Sequence, residues 1–227
     1  MDFGRAFTYV FDDPEWMKKI LIGGLITLIP LVGSFIVYGY TLEIARRVYF
    51  ESEERLPAWD DFGGYLMRGF IFWIAMLIWF LPITLLIGCV VVVLIAAGST
   101  GEDAAVALST LAAFALFGLV LLVVLLWSLT VLPILAGRYA VERRFRAAFQ
   151  FGEILVDLRR AGPLPLLLLF VLYFVAGFIA QFGVLACFIG VIFTSFFANA
   201  VTAHGVGQVY RRARGLEAAS PASQVTF

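Results

Sequence analysis

Four stretches of this 227-residue chain contain no Asp, Glu, Lys or Arg: residues 20–42, 69–101, 104–137 and 161–210. A helix needs about 20 mostly apolar residues to cross the hydrocarbon core of a bilayer. Each stretch suffices for one crossing, and the last suffices for two. The pattern predicts an all-α, polytopic transmembrane helical bundle of about five spans, near 20–42, 69–96, 105–136, 164–181 and 185–208. These form a single domain over 1–210, followed by a basic, disordered tail over 211–227. An apolar fraction of 63% and a mean hydropathy of +1.00 exclude an ordinary soluble domain, where roughly 45–50% is usual.

The 16 basic and 16 acidic residues cancel, so no global field draws in nucleic acid. Their placement carries the information. Arg138, Arg143, Arg144, Arg146, Arg159 and Arg160 share one segment, Arg46, Arg47, Arg55 and Arg68 another, and Arg211, Arg212 and Arg214 the tail. The short Gly98-Ser99-Thr100-Gly101-Glu102-Asp103 loop and the turn near Gln181–Val184 have no basic residue. Basic loops stay inside, which predicts loops 43–68 and 138–160 and the C-terminus in the cytoplasm. Basic residues flank both ends of 20–42, so charge does not orient it. A straight span is the preferred reading, and a re-entrant hairpin broken at Pro30–Gly33 is the alternative.

Residues 3–11 place Phe3, Phe7, Val10 and Phe11 on one helical face, suited to a membrane interface. Asp13-Pro14-Glu15 reads as a helix start, and no cleaved signal peptide is expected. Within 43–68, Glu43 is spaced to pair with Arg46 or Arg47. Pro57 ends one helix, Trp59 reads as an interfacial wedge, and Asp60, followed by Asp61, is placed to cap the next helix. Pro82 and Pro133 predict kinks or tilt in the two longest spans. Residues 139–160 read as one amphipathic helix, with Val141, Phe145, Ala148, Phe149, Gly152, Leu155 and Val156 on its apolar face and Asp157 on its polar face. The block Leu28–Ile36 faintly echoes Leu185–Phe193.

Polar groups inside spans are where function is sought in a membrane protein. Ser195, Asn199 and Thr202 share one face of the last span, with His204 and Gln208 on the opposite one. Interhelical hydrogen bonding is the plainer role for all five, and a substrate or ion contact the sharper one. His204 is the only histidine; axial ligation of a pigment or haem is conceivable for it, but no cofactor is expected. Cys89 and Cys187 read as buried, hydrophobe-like thiols. No span holds a charged group, and no nucleophile set, metal motif or phosphate loop stands beside the lipid signal.

Three motifs carry a resemblance. Phe7-Thr8-Tyr9-Val10-Phe11-Asp12-Asp13-Pro14-Glu15-Trp16 opens the chain. Ile29-Pro30-Leu31-Val32-Gly33, Gly39-Tyr40 and Leu56-Pro57-Ala58-Trp59-Asp60-Asp61 follow. Together they resemble an uncharacterised prokaryotic family of integral-membrane proteins known as a domain of unknown function. In its usual form the last motif has Glu where this chain has Ala58. The resemblance implies a small polytopic protein of the cytoplasmic membrane and supplies no activity. The expectation is therefore a non-enzymatic accessory or scaffolding subunit of a larger membrane complex. Its partners are membrane lipids and other membrane subunits or copies of itself. A small-solute or lipid transporter is the alternative.

Overall fold

The computed structural model describes residues 2–51, 55–99, 103–185 and 189–216. Cys187, Gly101-Glu102 of the acidic loop, the middle of the Leu185–Phe193 block and the tail from residue 217 lie outside the described residues. Those described are helical or irregular, with no strand among them. The order is α1 (Phe3–Thr8), α2 (Trp16–Thr27), α3 (Val32–Phe50), α4 (Phe62–Gly98), α5 (Asp103–Glu142), a 3-10 turn (Phe145–Phe149), α6 (Phe151–Ala161), α7 (Pro163–Gln181), a second 3-10 turn (Phe182–Leu185) and α8 (Ile189–Ala213).

Among the described residues, three helical segments are long and apolar enough to cross a membrane: Phe62–Gly98, Asp103–Glu142 and Pro163–Val184. They match the expected second, third and fourth spans. Helix α8, which carries Ser195, Asn199, Thr202, His204 and Gln208, is not one of the three. Helices α4 and α5 run unbroken through Pro82 and Pro133.

The first apolar run is not one helix. It breaks at residues 28–31, where Leu31 adopts φ +60, and α3 folds back along α2. Trp59 shows the reversal directly. Its indole N–H donates to the Lys19 carbonyl at 3.0 Å, and its ring stacks on Tyr40 at 4.1 Å. A straight helix would hold residues 19 and 40 about 30 Å apart. The preferred single span is thus replaced by the hairpin, because Pro30 cannot donate within a helix and Gly33 lets the two arms close. A β-carbon at Gly33 would sit 1.9 Å from the Ile26 carbonyl oxygen.

Two compact units make up the chain. One comprises Met1–Phe72 with Leu129–Phe227, and the other is the hairpin Trp73–Ser128. In the larger unit α8 is the central post. Phe196 and Phe193 press into notches at Gly23 and Gly24 of α2. Gly207 lies on Ala45 and Val48 of α3, and Tyr210 meets Tyr49 at 5.3 Å. Helix α7 returns antiparallel to α8, where the Thr194 hydroxyl donates to the Ala180 carbonyl at 2.8 Å. Ala176 and Ala180 of α7 are buried, as small residues at a close helix contact should be. In the smaller unit, Trp127 meets Trp79 at 6.0 Å and Phe80 at 4.6 Å. Cys89 on this hairpin is exposed rather than buried.

The expected single helix over 139–160 is broken into three pieces. Helix α5 ends at Glu142, Arg143 takes φ +51, and α6 begins only at Phe151. The face of α6 that turns inward carries Ile154, Asp157 and Ala161, while Phe151, Leu155 and Val156 face outward. Asp157, on the polar face in the sequence reading, is thus a residue that turns into the unit. An ion pair inside the unit holds Asp157 there.

Candidate functional site

The polar residues of α8 divide as their helical spacing requires. On one side, Asn199 and Thr202 line a cavity of about 340 Å³, together with Ser34, Tyr38 and Thr41 of α3 and Tyr173 of α7. Apolar walls complete it, among them Phe72, Leu132 and Val206. Thr202 is buried and donates to the Asn199 backbone carbonyl at 3.0 Å. The Asn199 side chain is exposed to the cavity, and no described residue hydrogen-bonds its amide. No Asp, Glu, Lys, Arg or His lines the cavity. Hydroxyls and one carboxamide donate and accept hydrogen bonds but supply no base near neutral pH. Such a lining is chemically matched to a neutral polar group beside apolar atoms rather than to an ion.

On the opposite side, His204 and Gln208 are engaged by the N-terminal segment. The His204 ring lies 4.6 Å from that of Tyr9. Gln208 accepts from the Asp2 amide at 2.7 Å, donates to the Asp2 carbonyl at 3.1 Å, and reaches His204 Nδ1 at 3.1 Å. Both residues dock α1 against α8. Ser195 is half-buried and lies outside the cavity lining. Among the described residues, no three His, Cys, Asp or Glu gather where they could hold a metal.

The first and last of the family motifs meet each other. Lys19 donates to the buried Asp13 carboxylate at 2.6 Å and to the Leu56 carbonyl at 2.8 Å. Three tyrosine hydroxyls hold the neighbouring carbonyls: Tyr9 that of Arg55 (3.0 Å), Tyr40 that of Pro57 (2.9 Å) and Tyr65 that of Ala58 (2.8 Å). The extended segment 55–58 thus has its carbonyls satisfied by side chains, as irregular backbone around the buried Leu56 and Pro57 requires. Trp59 is half-buried against Tyr40 and is a latch between α2 and α3 rather than a free wedge. Asp61, not Asp60, caps α4. Its carboxylate accepts from the Gly64 amide at 2.9 Å and pairs with Arg68 at 3.0 Å, while Asp60 is exposed. Trp59→Phe keeps the stack on Tyr40 and removes the indole donor. It should lower stability by about 1 kcal/mol, the usual net worth of one hydrogen bond, read by thermal unfolding in detergent. An unchanged transition would mean that the Lys19 carbonyl does not need Trp59.

Sequence reasoning missed the most tightly buried polar cluster. Arg138 and Asp157, whose side chains are 3% and 0% exposed, pair at 2.9 Å. Gln150 and Glu142 also bind Arg138, the latter at 3.2 Å. Arg214 lies 3.7 Å from Asp157, 3.3 Å from Glu142 and 2.9 Å from the Tyr210 hydroxyl to which it donates. Burial pushes the Tyr210 hydroxyl up to about 12, against the opposing pull of Arg214. The cluster ties the ends of α5 and α8 to α6. The available signal was an aspartate flanked by Val156 and Leu158 on a helix otherwise marked by outward charges.

No curated protein and no solved structure matches the chain. A family profile described as "Protein of unknown function (DUF4013)" matches residues 22–189. That range takes in α3 to α7, the second half of α2 and the Leu56–Asp61 latch, so the chain belongs to this family.

Proposed function

We propose that the protein is a non-catalytic subunit of the prokaryotic cytoplasmic membrane that works by association. Its loops 43–68 and 138–160 and its C-terminus lie in the cytoplasm, in keeping with their basic residues. The observation that carries the reading is the apolar surface of the two long helices. None of the most apolar part of α4 is buried within the chain, and 17% of that of α5 is. Spanning helices of a self-contained bundle cover one another, and these leave most of their surface to lipid or to another subunit. Purification from the native membrane into nanodiscs, followed by native mass spectrometry and an absorbance scan, tests this. A foreign subunit in fixed stoichiometry is the expected result. A lone chain carrying only lipid removes the accessory role.

The cavity at Asn199 and Thr202 favours a second reading, the handling of a lipid or small neutral solute. Proteoliposomes containing the chain should then show substrate-dependent flux that Asn199→Ala lowers at least severalfold. Absence of flux across a broad panel of neutral solutes and lipids discards it.

A further inference from the structure

A second cleft, of about 650 Å³, opens where α5, α6 and α7 meet, within the larger compact unit. Its walls include Leu129 of α5, Leu158 of α6 and Leu164, Leu167 and Phe170 of α7, and the one charged group among them is Arg159. Arg159 is exposed, and among the described residues no carboxylate pairs with it. The two nearest acids on its own helix are directed elsewhere, since Asp157 and Glu153 both lie against Arg138, at 2.9 and 3.8 Å. An uncompensated cation therefore stands at the rim of an apolar cleft.

The surroundings say what fills it. Gly162, at φ +75, turns the chain in a single residue from amphipathic α6 to the apolar helix α7. Phe151 and Leu155 project outward from α6, 63% and 48% exposed, as on a helix lying in a bilayer surface. The corner at Gly162 then falls at headgroup depth, with Leu164, Leu167 and Phe170 running into the hydrocarbon. We propose that this cleft holds one anionic glycerophospholipid, its phosphate on Arg159 and an acyl chain along Leu164, Leu167 and Phe170. Arginine suits the role because its planar guanidinium binds phosphate oxygens in pairs, and a cation at the membrane surface adds to the affinity for anionic lipid.

The test uses the full chain, delipidated in mild detergent and titrated with phosphatidylglycerol or phosphatidylcholine, with bound lipid counted by native mass spectrometry. The wild type should retain one phosphatidylglycerol in preference to phosphatidylcholine. Arg159→Gln should weaken phosphatidylglycerol binding about fivefold and phosphatidylcholine binding less, because the choline charge already offsets that lipid's phosphate, while Arg159→Lys recovers only part of the loss, since an ammonium keeps the charge and not the paired contact. Leu167→Trp, which fills the cleft, should lower retention of both lipids. Thermal unfolding of Arg159→Gln should match the wild type, since no described partner is lost. Equal retention of both lipids by the wild type, or an Arg159→Gln variant that binds as well, overturns the proposal. So does displacement of phosphatidylglycerol by inorganic phosphate alone, or a dimer that Leu167→Trp abolishes, since the occupant would then be a free anion or a second copy.

Discussion

Asp157→Leu is expected to destabilise the protein by about 3 kcal/mol, because it removes the closest and most deeply buried counter-charge of Arg138 and leaves it only the partly exposed Glu142 at 3.2 Å and Glu153 at 3.8 Å. Arg138 is 3% exposed and Asp157 fully enclosed, so water cannot replace the missing partner. Removing both charges should behave differently. Arg138→Met combined with Asp157→Leu leaves an apolar contact of similar volume, and replacing a buried pair in this way is often neutral or stabilising. Arg214 keeps Glu142 and Tyr210 as partners in that variant. Chemical unfolding in detergent micelles should therefore show the double variant recovering at least half of the single variant's loss. A single-variant effect below about 1 kcal/mol would show that the pair is solvated and the three elements are held by packing alone.

The second large effect is expected at the crossing of α3 and α4. A β-carbon at Gly39 would lie 1.9 Å from the Tyr65 carbonyl oxygen, and one at Gly69 would lie 1.8 Å from that of Phe35. Both obstacles are backbone, so neither yields by a rotamer change. Gly39→Ala or Gly69→Ala must push the helices apart, with a loss of about 1–3 kcal/mol each, and the two losses should not add, because either one already separates the pair. Gly177 of α7 has nothing within 4 Å of such a carbon. Gly177→Ala should therefore be neutral or stabilise by about 0.5–1 kcal/mol. Equal losses at all three positions would mean that glycine acts here through backbone freedom rather than close approach.

These residues also show where sequence reasoning reached its limit. The helices α4 and α5 were legible because each is built on an apolar run between charges, and α7 because Pro163 opens another such run after Arg160. The split of α8 into an Asn199–Thr202 side and a His204–Gln208 side was legible from helical spacing alone. The Pro30–Gly33 break was visible, yet its consequence turned on Trp59, which lies 40 residues from the Lys19 carbonyl it binds. The inward turn of Asp157 had the same origin: α6 reads as amphipathic, but the face that meets the unit was chosen by Arg138, 19 residues away, which pairs with Asp157 at 2.9 Å.

Hydropathy is a property of each residue taken singly, and it was enough to determine that this is a helical chain with segments long and apolar enough to cross a membrane, and where three of them run. Tertiary structure alone decided that residues 20–42 fold back on themselves, that Asn199 faces a cavity while His204 docks α1, and that Gly39 and Gly69 touch backbone to backbone. The reason is physical. In lipid both the packed and the exposed face of a helix are apolar, so no stripe in the sequence marks the inward side, and contacts between distant residues must choose it.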